Sequence, residues 1–333
     1  APWAEPATRK QEDNPYIQAF HKWWESDLAD SLEEIRITGG EPIMHKGTWK
    51  LFDWFENNPG RNREMRFAIN SNLCPETPKV FDKLIEKSHN IPNLHIYTSM
   101  EATGIQGEYI RDGLDYKYWM ENIHRLLKEG NVSQLFMMMT INSLCLNSIT
   151  EFLDEMLDLR EEYKERAPVL SLNILRFPSF QSAAILPEDI KTHYMEKLND
   201  WFISERPQSM LDEGEKASVQ RLIDYLDIIK TPHKNTAETP KLYNDFKSFF
   251  SQYDVRRNKD FVSTFPGPLA EWFKSLDAEV PNRDQILNSN NPTNTMEIFM
   301  ADPATTEKYE GGDDEHEVKN VPGWNTETDN LGS

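Results

Sequence analysis

The sequence predicts an α/β fold built on parallel strands, and three observations carry that prediction. Between residues 16 and 202, short runs rich in Ile, Val, Leu, Phe and Met alternate with longer stretches whose apolar residues recur at helical spacing. Strands alternating with helices of this length imply parallel strands joined by right-handed crossovers. The 333 residues include nine Trp, eleven Tyr and seventeen Phe, too many for a disordered chain and enough for a core.

Residues 16–32 read as a helix, with Ile17, Phe20, Trp23, Trp24 and Leu28 on one stripe. A short strand over 35–38 runs into Gly39-Gly40. The helical pattern of 49–55 stops before Asn57-Asn58-Pro59-Gly60, a strong breaker. A strand at 65–69 and a helix at 79–87 follow, then a strand at 94–99 and a helix at 116–128 closed by Gly130. The last two units are 135–141 with 148–163, and 169–175 with 187–202. Within 135–141, Met137-Met138-Met139 is most simply core filling, with one Met able to face the interior of a barrel. Five strand–helix units thus follow a leading helix, and a strand ahead of that helix would make six. An open parallel sheet and an incomplete (β/α) barrel both satisfy the pattern. In either, chemistry gathers at the C-terminal ends of the strands.

Residues 206–285 change character: 210–229, 242–253 and 266–275 read as helices, with no strand pattern between them. From 286 the chain is rich in Asn, Pro, Gly, Asp, Glu and Thr, which predicts a flexible tail. The expected organisation is therefore 1–205 for the α/β part, 206–285 for a helical appendage and 286–333 for an acidic tail.

Charge and cysteine content limit the partners. The net charge of −20 comes from 56 acids against 36 bases, and residues 301–333 alone carry nine acids and two bases. Such a chain repels nucleic acid and anionic lipid unless a basic patch intervenes, and none is visible. No run approaches the ~18 apolar residues of a membrane span, and no signal segment opens the sequence. The two cysteines, Cys74 and Cys145, form no CxxC pair, and two sparse thiols fit a reducing cytoplasm. Each is read as a small, semi-buried hydrophobe rather than a ligand. The eight His show no metal-like spacing.

The most informative string is Ile37-Thr38-Gly39-Gly40-Glu41-Pro42 at the end of the first predicted strand. Two glycines there let the backbone approach a ligand with no Cβ in the way, and Glu41 can orient it. A tight turn with a surface acid is the plainer alternative. Four further segments sit at successive strand ends: Ser71-Asn72-Leu73, Tyr97-Thr98-Ser99-Met100-Glu101, Tyr109-Ile110-Arg111-Asp112-Gly113 and Thr140-Ile141-Asn142. A forked guanidinium such as Arg111 suits a carboxylate. Acids such as Glu41 and Glu101 suit an ammonium or hydroxyls, and Ser99 and Asn142 offer short-range hydrogen bonds. Alone, Arg111 would be a solvated loop charge and Asn142 a strand terminator.

Taken in order, these segments resemble the radical S-adenosylmethionine (radical SAM) superfamily over about residues 30–180. Thr38-Gly39-Gly40-Glu41-Pro42 resembles its GGEP motif, whose backbone receives the methionine amino group of SAM. Ser71-Asn72-Leu73 resembles its T-N-G turn, and Ser99-Met100-Glu101 its S-[ILM]-[DE] signature near the sugar and carboxylate. Residues 109–113 resemble the stretch whose Arg pairs with the SAM carboxylate, and Thr140-Ile141-Asn142 the [VTI]-x-N signature. The strand at 172–178 resembles the segment passing near the adenine.

The resemblance implies a partial (β/α)6 TIM-type barrel lacking its first strand. Its cofactor-binding residues would be Gly39, Gly40, Glu41, Pro42, Asn72, Ser99, Glu101, Arg111 and Asn142. It implies SAM as cofactor with a [4Fe–4S] cluster, reductive cleavage to a 5′-deoxyadenosyl radical, and a reductant such as flavodoxin or ferredoxin. The family's CxxxCxxC triplet is absent, and Ala1-Pro2-Trp3-Ala4 resembles the run just after the third cysteine. The cluster ligands and the first strand are thus expected upstream of Ala1, and residues 1–333 alone are expected to be inactive. The Phe177-Pro178 and Leu186-Pro187 turns resemble the SPASM or twitch branch, which often modifies peptides; the substrate itself stays open. The alternatives are a non-catalytic SAM- or nucleotide-binding scaffold on the same barrel, and an unrelated α/β enzyme in which GGEP is coincidental.

Overall fold

A computed structural model describes residues 15–230 and 239–288. Its centre is a five-stranded sheet in the order β1 (Glu34–Ile37), β2 (Arg66–Asn70), β3 (Leu94–Ser99), β4 (Gln134–Ile141) and β5 (Val169–Ile174). Every neighbouring pair is parallel, and each strand pairs with the next in the sequence. The mixed α/β architecture with parallel strands therefore agrees with the sequence pattern. All five strands fall within a residue or two of their predicted bounds. The strand expected ahead of the leading helix falls outside the described residues.

The connections are helices. They are α3 (Lys46–Asn57), α4 (Pro78–Ser88), the short α5 (Gly104–Ile110) with α6 (Tyr116–Glu129), and α7 (Ile149–Tyr163). Their starts are marked by local chemistry: Pro78 opens α4, and the Asp115 side chain accepts the N–H of Tyr118 at the start of α6. Two residues apart along β2 to β5, Phe67 and Ile69, Leu94 and Ile96, Leu135, Met137 and Met139, and Leu170 and Leu172 are buried on one face of the sheet. The other face is less covered. There β4 places Gln134, Phe136, Met138 and Thr140 half-exposed between its buried residues. Of the three consecutive methionines, only Met138 points to that side.

The leading helix differs from its prediction. It runs as α1 (Pro15–Trp23), a π-helical turn (Trp24–Leu28) and α2 (Ala29–Ser31). The wide turn shifts the phase of the apolar stripe. Trp24 is buried against Trp54 and Phe55, while Trp23, expected on the same stripe, stays exposed.

After β5, α8 (Glu188–Phe202) and α9 (Glu205–Met210) lead into α10 (Glu213–Lys230), which packs on α8 and β5. A buried pair anchors it. Glu215 accepts from both terminal nitrogens of Arg160 at 2.5 and 2.6 Å, and from Leu170 N at 2.9 Å. Then come α11 (Thr239–Arg257), α12 (Phe261–Thr264), α13 (Pro268–Ser275) and α14 (Arg283–Asn288), with α12 lying against α5. The described residues up to Ile286 belong to one compact unit. Most of the expected tail, 289–333, lies outside the described residues. No described helix is long and apolar enough to cross a membrane.

Candidate functional site

Parallel order puts the segments singled out in the sequence at one end of the sheet. Glu41 ties two of them together. One carboxylate oxygen accepts from Ser71 Oγ at 2.6 Å, the other from Asn72 N at 2.7 Å. The first oxygen also receives Ile43 N at 3.4 Å, capping the 3₁₀ turn Pro42–Met44 that buries Pro42. Asn72 is exposed, and its Oδ1 accepts Cys74 N at 2.9 Å in an Asx turn. Leu73, where the resembled turn carries Gly, takes the same left-handed backbone with φ +53°.

Gly39 and Gly40 are exposed with φ +87° and +56°. A Cβ built on either meets nothing within 4 Å, so their first need for glycine is conformational. Among the described residues, no backbone–backbone hydrogen bond outside the helices and strands engages Gly39 or Gly40.

Glu101 and Arg111 form the charged part of the site. Glu101 follows β3 and is 3% exposed. Arg111 Nε and Nη2 both reach its Oε2, at 2.8 and 2.7 Å, leaving Nη1 outside the pair. Burial pushes the Glu101 carboxyl above its ordinary range, and the guanidinium opposes that rise. Arg111 is thus a fixed, part-buried cation rather than a freely solvated one. A second acceptor on the open side of its fork would meet an already oriented donor.

Asn142 is placed as a terminator of β4. Its Oδ1 accepts Leu144 N and Cys145 N at 2.9 and 3.1 Å, and its Nδ2 donates to Thr140 O at 3.0 Å. These bonds fix the loop after β4 and occupy the side chain locally. Cys145 is buried against the same loop, with its thiol pushed up by burial. Cys74 lies beside the Asn72 turn, its thiol likewise raised by burial. Ser99 sits on the less covered face, in register with Met138.

That face carries a row that the sequence reading missed. Arg36 lies over the Tyr97 ring at 3.9 Å from its centroid, and Tyr97 stacks on Phe136 at 4.5 Å and 8°. His95 stacks on Phe136 at 5.9 Å, with its pKa lowered by burial and by Arg66. The register signal was available: 95, 97 and 99 alternate with 94, 96 and 98, and both sets hold side chains that pack or bond.

SAM and a [4Fe–4S] cluster fare differently on this geometry. The open left-handed glycine loop and the oriented Arg111 fit the amino and carboxylate groups of SAM. The cluster has no place among these residues: Cys74 and Cys145 stand on separate loops, and no three His, Cys, Asp or Glu converge as metal ligands among the described residues. The chain matches no protein-family model, no curated protein and no solved structure.

Proposed function

We propose that this chain binds S-adenosylmethionine across the C-terminal ends of its strands, as a partial barrel of the radical SAM type. The observation that carries the reading is the pairing of an open Gly39-Gly40 loop with Glu41 locked onto the next strand's loop. Sequential parallel strands and a less covered face holding Arg36, Tyr97, Phe136 and Ser99 are what a curled sheet would turn inward. In this reading the 39–40 backbone receives the ammonium of SAM, and Arg111, oriented by Glu101, takes its carboxylate. Asn72 and Asn142 shape the surrounding loops, and Ser99 lies near the sugar.

Bound with a cluster and a reductant, SAM would supply a 5′-deoxyadenosyl radical for hydrogen abstraction from a substrate, a peptide being the class the branch resemblance suggests. The cluster needs three cysteines that residues 1–333 do not carry in that spacing. A triplet encoded ahead of Ala1 would provide them, and the gene sequence decides this directly.

Calorimetric titration with SAM tests the binding reading. The parent chain should bind, and Arg111→Lys should bind more weakly than conserved charge suggests, because the planar fork is lost. If the parent shows no heat with SAM at millimolar concentration, the reading is wrong. Binding by a full-length protein that never yields 5′-deoxyadenosine with dithionite would point to the non-catalytic scaffold.

A further inference from the structure

We propose that the C-terminal helices complete this site, with Tyr253, Asp254 and Lys259 acting as positioning residues that hold Arg111 where a ligand carboxylate would meet it. The proposal rests on the SAM-binding reading above.

Arg111 is not carried by a strand. It ends α5, seven residues long with glycine at 104 and 107, too short and too glycine-rich to stand alone. Its stability must come from packing. Tyr109, two residues before, is buried with its ring centroid 5.1 Å from Tyr253, 6.0 Å from Phe261 and 5.0 Å from Phe265. These rings come from α11, α12 and the residue after α12.

Polar bonds grip the same segment on both sides of Arg111. Before it, Tyr109 Oη donates to Asp254 Oδ1 at 2.7 Å, and Asp254 Oδ2 accepts Phe261 N at 2.9 Å. Tyr253 Oη donates to the carbonyl of Tyr109 at 2.7 Å, and Lys259 Nζ to the carbonyl of Glu108. After it, Asp112 pairs with Lys259 Nζ and Arg257 Nη1, each at 3.1 Å. Lys259 therefore spans Arg111 from residue 108 to residue 112. Glu101 holds the guanidinium from the sheet side. With the backbone fixed by one region and the head group by another, the orientation of Arg111 depends on both.

A role limited to docking the helices predicts lower stability with no change in ligand preference. A positioning role predicts a loss specific to the carboxylate. The test uses the full chain with two probes: SAM, and 5′-methylthioadenosine, which keeps the nucleoside and sulfur but lacks the amino-acid carboxylate and ammonium. The parent should prefer SAM. Lys259→Met and Tyr253→Phe should lower SAM affinity about tenfold while changing methylthioadenosine by less than about twofold. Lys259→Arg, which can still bridge 108 and 112, should recover most of the loss. Hydrogen exchange at amides 108–113 should quicken in the Met and Phe variants and return toward the parent rate in the Arg variant.

Equal losses for both probes, or unchanged SAM affinity with faster exchange, would overturn the positioning role while leaving the SAM reading in place. A parent that does not prefer SAM over methylthioadenosine would overturn that reading, and this proposal with it.

Discussion

The Glu41 carboxylate and the Ser71 hydroxyl meet at 2.6 Å, joining the loop after β1 to the loop after β2. The second Glu41 oxygen takes the Asn72 N–H at 2.7 Å. Glu41→Gln keeps the size but loses the charge; with its carbonyl turned to Asn72 N, the amide nitrogen faces Ser71 Oγ and leaves the Ile43 N–H without an acceptor. The loss should be about 1–2 kcal/mol, since a charge-assisted bond becomes a mismatch at a part-exposed site. SAM affinity should fall as well, because the glycine loop loses its anchor. A variant that melts with the parent and binds SAM equally would show that the loops hold their places without this carboxylate.

Gly40 offers a sharper separation of backbone from sterics. Its φ of +56° disfavours a Cβ, although nothing lies within 4 Å of one. Gly40→Ala should cost about 1–2 kcal/mol in left-handed strain, and Gly40→Asn less, since Asn visits that region more readily. Thermal melts of the pair would read this order, and Ala melting above Asn would contradict it.

The Glu101–Arg111 pair predicts a pH dependence whose sign is fixed by burial. The folded Glu101 carboxyl is held above its unfolded range by desolvation, with Arg111 opposing. A raised carboxyl contributes stability below its unfolded pKa and loses it as pH rises through the folded pKa. Arg111→Met removes the opposition, so the folded value climbs further. The variant should approach the parent in acid, where Glu101 is protonated in both. It should fall behind by about 3–5 kcal/mol toward neutral pH, where a buried charge would lack its partner. Urea midpoints across pH 4–8 check this; a gap that narrows with rising pH would reverse the assignment.

At the opposite end of the sheet, Glu215→Ala should destabilise without touching the ligand. It leaves part-buried Arg160 unpaired and Leu170 N without its acceptor, at a cost of about 3–5 kcal/mol. SAM affinity, measured below the variant's melting range, should match the parent. A coupled loss of affinity would mean that β5 and α10 help to set the ligand site.

Much of this architecture was legible because its signals are local. Alternating apolar runs located the five strands of the described residues, and breakers such as Gly130 set helix ends. The glycine pair and Asn142 announced turns through their own chemistry. What stayed hidden depends on partners far along the chain. α5 reads as loop, since Gly104 and Gly107 lower its helix propensity. Its formation relies on Tyr109 being buried by residues 250–265, a contact that no periodicity reveals. The sequence reading drew a line at residue 205, where the strand pattern ends, and Tyr253, Asp254 and Lys259 reach back across it to α5. Likewise the Arg36–Tyr97–Phe136 row needs four strands, β1 to β4, in register before it exists.

Strand order has a consequence for how the chain acquires its shape. Each strand finds its partner in the preceding unit, so the sheet can grow vectorially during synthesis, one crossover at a time, with modest loop-closure entropy at each step. The contact between Tyr109 and Asp254 is of another kind, spanning 145 positions. The segment bearing Arg111 would therefore mature last, after the sheet and only once α11 and α12 have emerged. Stalled nascent chains ending near residue 235 should protect β1–β5 from hydrogen exchange while amides 104–112 still exchange freely. Early protection of those amides would place the closing step before the C-terminal helices.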